Sequence, residues 1–241
     1  MEVSSVFRIE WHRDVLKVLE ALDAERLLSC GALFGGGTRL ALDLNEYRES
    51  LDVDFLCSDA SGYADLRMLA RQNGYAALFP EAGSAGLSFP REMKIDQYGI
   101  RFVVLYGERM IKVEIIREAR VDLAPGVRPG WAPVDCLAVE DCWAIKLLAN
   151  SDRWPDRQVL SRDLFDLAAM RANWGSIPEG SWQKAEEAYK SSVRTDLGKA
   201  LDLLLNNEDY RRRCFTGLKI SEEGVLLKAL QQLLGETQSV E

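Results

Sequence analysis

Histidine occurs once in the 241 residues, at His12. That scarcity excludes zinc sites built on histidine pairs, a His-Glu-x-x-His helix and most Ser-His or Cys-His nucleophile pairs. Any acid or base must therefore be Asp, Glu or Lys. Five cysteines, Cys30, Cys57, Cys136, Cys142 and Cys214, form an odd set without a Cys-x-x-Cys spacing. Such a set fits reduced core thiols and not a disulfide scaffold. The longest stretch without a charged residue, 27–38, has 12 residues, whereas a membrane-spanning helix needs about 20 mostly apolar ones. Glu2, Arg8, Glu10 and Arg13 break up the N-terminal region, so the layout of a secretory signal is missing. A cytoplasmic location and no membrane partner are expected. Basic residues are also in deficit, 30 against 38 acidic ones, for a net charge of −8. That balance leaves nucleic-acid contact to local basic patches.

What is present describes a folded protein: 47% hydrophobic and 28% charged residues are ordinary values for a globular chain. Val15, Leu16, Val18, Leu19 and Leu22 recur at steps of three and four and predict an amphipathic helix over about 11–29, as a lid or outer layer. Ala32-Leu33-Phe34 reads as a short strand stopped by Gly35-Gly36-Gly37-Thr38, and Leu51–Cys57 alternates with period two. A helix is expected over about 60–74, irregular chain over 76–89, and a hairpin from Ile100, Phe102, Val104, Tyr106 and Ile111, Val113, Ile115. Pro125, Pro129 and Pro133 mark 125–133 as a linker. Beyond it helical periodicity predominates, over about 139–150, 157–172, 185–205 and 225–234. The expected fold is α/β (α+β): a sheet domain over 1–124 with an N-terminal helix, followed by a helical domain over 134–241.

The chemistry concentrates around Asp52 and Asp54. Carboxylates at i and i+2 of a strand leave the same face, so they can grip a hard divalent cation and would repel without one. Just upstream, a glycine turn opening a helix presents backbone N–H groups suited to triphosphate oxygens. Glu114, on the polar face of the hairpin with Lys112, can polarise an attacking hydroxyl or complete the metal site. Its alternative is an ion pair with Lys112 or a cross-strand arginine. This combination describes phosphoryl-type transfer, in which positioning and charge neutralisation supply most of the catalysis. In the helical half, Lys146 sits on an apolar side between Trp143 and Leu147, and Asp163 and Asp166 lean toward a core. Lys146 can be a snorkelling lysine, and Asp163 can form an interhelical salt bridge to it.

Gly36-Gly37-Thr38 followed by Arg48-x-Ser50-x-Asp52-Val53-Asp54-Phe55 resembles the signature of the AbiEii/AbiGii-type nucleotidyltransferase toxins, within the polymerase-β-like superfamily. Lys146 and Arg162-Asp163-Leu164-Phe165-Asp166-Leu167 resemble that family's later lysine and aspartate motifs. The resemblance implies a small mixed sheet flanked by helices with a helical C-terminal part closing the cleft. It also implies nucleotide transfer from an NTP, by toxins of type IV toxin–antitoxin or phage-defence pairs, some of which modify the 3′ end of tRNA. Carried onto this sequence, Gly36, Gly37 and Thr38 would hold triphosphate oxygens and Asp52 and Asp54 would bind Mg2+, with Glu114 as a third metal candidate. Arg48 and Ser50 join the nucleotide-binding set, Lys146 would neutralise the triphosphate, and Asp163 would be the final acid, with Asp166 its competitor.

An RNA acceptor, tRNA above all, and a cognate antitoxin are the expected partners. The alternatives are transfer to a small molecule or a protein, and a non-catalytic nucleotide-binding module. Arg211-Arg212-Arg213 with Lys219, and Arg101, Arg109, Arg117 and Arg120, are the candidate contacts for an RNA backbone, although charge runs are more often solvated faces.

Overall fold

A computed structural model describes residues 7–80 and 86–238. The chain forms two compact units. One is the chain up to Leu42 together with Ser50–Ala138; the other is Asp43–Glu49 together with the chain from Val139 onward.

The sheet unit begins with two helices, α1 (Glu10–Ala21) and α2 (Ala24–Ser29), where the apolar periodicity suggested one. The break is made by Leu22, which is extended, and by Asp23, whose side chain accepts the Arg26 N–H and starts a new helix. The strands are β1 (Ala32–Gly35), β2 (Val53–Cys57), β3 (Leu87–Ser88), β4 (Lys94–Ile95), β5 (Gly99–Tyr106) and β6 (Arg109–Arg117). They order as β1-β2-β6-β5-β3, with β4 also on β5. Among the strand pairs of the described residues, β2–β6 is parallel and the others are antiparallel, so the sheet is mixed. The helix α4 (Ala60–Asn73), capped by the Asp59 carboxylate on Ser61 N–H, follows β2. Within the expected irregular stretch, 74–77 form a 3-10 turn and Leu87–Ser88 pair with β5; residues 81–85 lie outside the described ones.

Period-two alternation decides which face of this sheet is buried. Val53, Phe55 and Cys57 of β2, Ile100, Phe102 and Val104 of β5, and Ile111, Val113 and Ile115 of β6 share one core with Val15, Leu16, Leu19 of α1 and Tyr63, Leu66 of α4. Each such side chain contributes about 1.5–3 kcal/mol by leaving water. The opposite face carries Asp54, Lys112, Glu114 and Arg101, none of them fully buried. The hairpin closes at Gly107, whose φ of +58° suits a two-residue turn. Residues 125–133, expected as a linker, fall within the sheet unit. Val127 and Cys136 exchange backbone hydrogen bonds of 2.9 and 2.7 Å, and Leu137 N–H donates to the Phe34 carbonyl on β1.

The helical unit contains α5 (Val139–Arg153), α6 (Arg162–Trp174), α7 (Glu179–Tyr189), α8 (Ser192–Leu205), α9 (Glu208–Leu218) and α10 (Glu223–Gln238). Ten successive residues of α5, 141–150, are buried, as befits a helix packed on several sides by α6, α7 and α8. The helix expected from residue 157 starts only at Arg162, because Leu160 and Ser161 adopt left-handed conformations, φ +55° and +52°. Among the described residues no helix is long and apolar enough to cross a membrane.

Candidate active site

The helix α3 (Gly36–Asp43) starts directly at the end of β1, which makes the glycine turn its first turn. Two glycines there are sterically required. Gly36 has φ +70°, and a Cβ on it would lie 2.8 Å from Asp54 Cβ and collide with the Asp54 carboxylate. A Cβ on Gly35 would lie 2.6 Å from Leu137 Cδ1. The cause is register: Gly35 is the cross-strand partner of Asp54, so the turn crosses immediately beside that side chain. Bare backbone, with the positive end of a helix, thus meets a half-buried carboxylate.

Asp54 is in turn the register partner of Glu114 on parallel β6, and neighbouring strands lie about 4.8 Å apart. The two carboxylates therefore share one face on adjacent strands, and Asp52, just before β2, is half-buried. Glu114 is already engaged: Arg101 Nε lies 3.2 Å from Oε1 and Lys112 Nζ 2.5 Å from Oε2. Among the described residues no three His, Cys, Asp or Glu side chains gather closely enough to hold a metal by themselves. By chemistry, Asp52 and Asp54 are side chains of the kind a hard divalent cation takes, since magnesium characteristically uses one or two carboxylates and completes its shell with substrate phosphates and water.

Thr38 and Ser50 tie this region together. The buried Thr38 hydroxyl donates to the Asp52 carbonyl and shares a 2.8 Å hydrogen bond with Ser50 Oγ. The Ser50 N–H donates to Nε2 of His12 over 3.2 Å. Thr38, expected to touch triphosphate oxygens, has its hydroxyl committed to the chain ahead of the aspartates.

The later motifs gather in the helical unit, where they form a buried charge cluster. Asp166, fully buried, accepts Arg48 Nε at 2.7 Å and Tyr47 Oη at 2.6 Å on Oδ1, and Arg48 Nη2 at 3.1 Å and Lys146 Nζ at 2.5 Å on Oδ2. Asp163 accepts Lys146 Nζ at 3.0 Å and both Nε and Nη2 of Arg153, at 2.9 and 2.7 Å. Burial pushes the Asp166 carboxyl up, but Arg48 and Lys146 outweigh it and hold the group well below the usual carboxylate range. The same contest, with Lys146 and Arg153 as the cations, lowers Asp163. Lys146 loses from burial and gains more from the two carboxylates, so it is held above the ordinary lysine value. Burial, then the charge of Asp166, pushes Tyr47 up. Three cations face two carboxylates, and both carboxylates are saturated.

The expected site residues thus fall into two groups. Gly36, Gly37, Thr38, Ser50, Asp52, Asp54 and Glu114 lie in the sheet unit; Arg48, Lys146, Asp163 and Asp166 lie in the helical unit. Both acids of the last motif, Asp163 and its competitor Asp166, bind Lys146. Most of the basic candidates are engaged: Arg211 caps the Leu204 and Leu205 carbonyls, Arg212 pairs with Glu208, Lys219 with Glu49, Arg109 with Glu10 and Asp14, and Arg120 with Glu118. Tyr47, Arg153 and His12 were not singled out from the sequence as part of these groups. Only His12 carried a signal, a lone polar residue on the 12, 15, 16, 19 stripe of an amphipathic helix, where burial demands a partner.

Comparison with known proteins adds three findings. The family model for the nucleotidyl transferase AbiEii toxin, type IV TA system, matches residues 17–231. No curated protein matches the chain. Among solved structures, MenT4, a nucleotidyltransferase toxin from Mycobacterium tuberculosis, aligns over 100% of this chain and 91% of its own at 16% identity, with a TM-score of 0.50. JHP933 from Helicobacter pylori aligns over 99% of this chain and 94% of its own at 20% identity, also with a TM-score of 0.50. The likeness at these identities is one of fold.

Proposed function

The chain belongs to the AbiEii family of nucleotidyltransferase toxins of type IV toxin–antitoxin systems, and from that premise we propose that it transfers NMP from an NTP, with Mg2+, to an RNA acceptor, the 3′ end of tRNA. The observation that carries the reading is the Asp54 carboxylate set against the bare backbone of Gly36, with Asp52 two residues before it. Polyanion-binding N–H groups and cation-binding oxygens therefore adjoin, as transfer from a metal-complexed triphosphate requires. Asp52 and Asp54 would hold the magnesium, which when bound neutralises phosphate charge. The N–H groups of the turn at Gly36 and Gly37 bind and orient the triphosphate. Glu114, its two oxygens already taken by Arg101 and Lys112, holds those cations on the same face.

For Lys146, the family resemblance implies a cation that would neutralise triphosphate charge; Asp163 and Asp166 fix its ammonium. The RNA acceptor is supported by the family resemblance; the basic residues add little, because most are already ion-paired. A cognate antitoxin is the corresponding partner, and the reduced, buried cysteines fit a cytoplasmic protein.

The test is incubation with each α-labelled NTP, magnesium and total RNA. Label in an RNA band that disappears on omission of magnesium and in Asp54→Ala supports the reading. Label confined to small-molecule or protein fractions replaces the acceptor, and nucleotide binding without turnover on any fraction reduces the protein to a binding module.

A further inference from the structure

The first turn of α1 holds the dipeptide that leads into Asp52. His12, entirely buried, accepts the Ser50 N–H at Nε2, and the indole N–H of neighbouring Trp11 donates to the Leu51 carbonyl over 3.3 Å. The donor at one end of Ser50–Leu51 and the acceptor at the other are thus both taken by α1. Ser50 Oγ and the Asp52 carbonyl are bonded to Thr38 in the first turn of α3. The helix that makes these contacts is itself anchored. Arg109, at the start of β6, reaches Glu10 at 2.5 Å and Asp14 at 2.6 Å and lies over the Trp11 ring, 5.4 Å from its centroid.

We propose that His12, assisted by Trp11, is a positioning residue for nucleotidyl transfer, fixing the backbone ahead of Asp52 and Asp54 so that the Asp54 carboxylate stays beside the glycine turn. The inference rests on the reading of that turn and those aspartates as the nucleotide site. Neither Trp11 nor His12 lies in the span 17–231 matched by the family model, so the anchor is not part of the matched pattern. Histidine suits the position because a neutral imidazole protonated on Nδ1 offers an acceptor lone pair on Nε2, from within an otherwise apolar stripe of Val15, Leu16 and Leu19. Leucine fills the space without accepting. Glutamine offers an amide oxygen near the same point.

His12 is the only histidine, so tag-free, 15N-labelled protein yields a single imidazole pattern. The expected pattern is the Nδ1–H tautomer with an unprotonated Nε2; an Nε2–H tautomer overturns the proposal whatever the enzyme does. Hydrogen exchange of the Ser50 amide is expected to quicken at least about tenfold in His12→Leu, the scale of one lost hydrogen bond, and an unchanged rate counts against the anchor. In transfer assays on the full chain, His12→Leu is expected to lower kcat about tenfold or more, with KM for the NTP little changed, the signature of misplaced reacting groups. His12→Gln should recover most of the loss. Trp11→Phe, which keeps a ring and loses the donor, should lower kcat by a smaller factor, and it keeps the test alive if His12→Leu does not fold. Wild-type kcat in folded His12→Leu or in Trp11→Phe, or a glutamine variant as impaired as leucine, sinks the idea. If the wild-type chain labels no acceptor at all, the reading of the site fails, while the tautomer and the exchange rate still decide the anchor.

Discussion

Asp52 and Asp54 in the sheet unit and Asp163 and Asp166 in the helical unit are both closely spaced acid pairs, yet their surroundings treat them in opposite ways. The first pair is half-buried, and its Asp54 lies against the bare backbone of a glycine turn. The second is buried, and arginine, lysine and tyrosine occupy all four of its oxygens. A carboxylate kept partly wet can exchange partners during a reaction cycle. One sealed among fixed cations trades that freedom for structure, because a buried charge is tolerated only when paired. Within one motif, Arg-x-Ser-x-Asp-x-Asp, the arginine therefore belongs to the helical cluster and the aspartates to the sheet.

Charge removal at each pair is the sharpest way to break this contrast. Asp54→Asn should lower transfer on the order of 10³-fold or more, the scale of lost charge stabilisation in phosphoryl transfer, with unfolding free energy changed by less than about 1 kcal/mol. Comparable losses of activity and stability would erase the distinction. Asp166→Asn should do the reverse in kind, destabilising by about 3–5 kcal/mol in urea titrations because Arg48 is left buried without its counter-charge and Lys146 keeps only Asp163. A variant with wild-type stability would show that the cluster is not structural.

Gly36→Ala comes next, at about 1–3 kcal/mol from backbone strain alone, with loss of transfer because the methyl meets the Asp54 carboxylate; a crystal structure and an assay read both. The pH dependence of stability follows the helical cluster. Asp166 is depressed below its ordinary value of 3.8, so its contribution is present in full above that pH and fades as pH falls through the lower folded value. Lys146 is raised above 10.5, so its contribution holds below that pH and fades as pH rises through the raised one. Thermal scans should show no loss from this cluster between about pH 5 and 10, and Asp166→Asn should flatten the acid limb. The smallest effect is expected for Glu114→Gln, whose ion pairs with Arg101 and Lys112 are partly exposed: under about 1 kcal/mol in stability, with transfer retained within about tenfold. A collapse of activity there would make Glu114 part of the chemistry.

Much of the sheet unit was legible because its signals are local. Period-two alternation located β2, β5 and β6, and glycines before an Asp-x-Asp located the turn. Boundaries failed where one side chain decides them: Asp23 splits the first helix by capping a new one, and left-handed Leu160 and Ser161 delay α6. The site was legible as residue types and not as bonds. Nothing local announces that Arg48 meets Asp166 across 118 positions, or that Arg211, in a run of three arginines, caps a helix. His12 entered the sequence reading only as a scarcity, because the peptide N–H that needs it lies 38 residues away.

Residue types and their order were enough to establish the class of chemistry: acids without histidine, a glycine turn ahead of an Asp-x-Asp, and an ordered set of motifs that belongs to one family. Spacing and residue type are properties of neighbouring residues, so they can be read from the chain. Which acid is sealed and which stays accessible was decided only in the tertiary structure. Burial and counter-charge come from residues remote in sequence, and they alone fix whether a carboxylate is held as part of the core or left able to change partners.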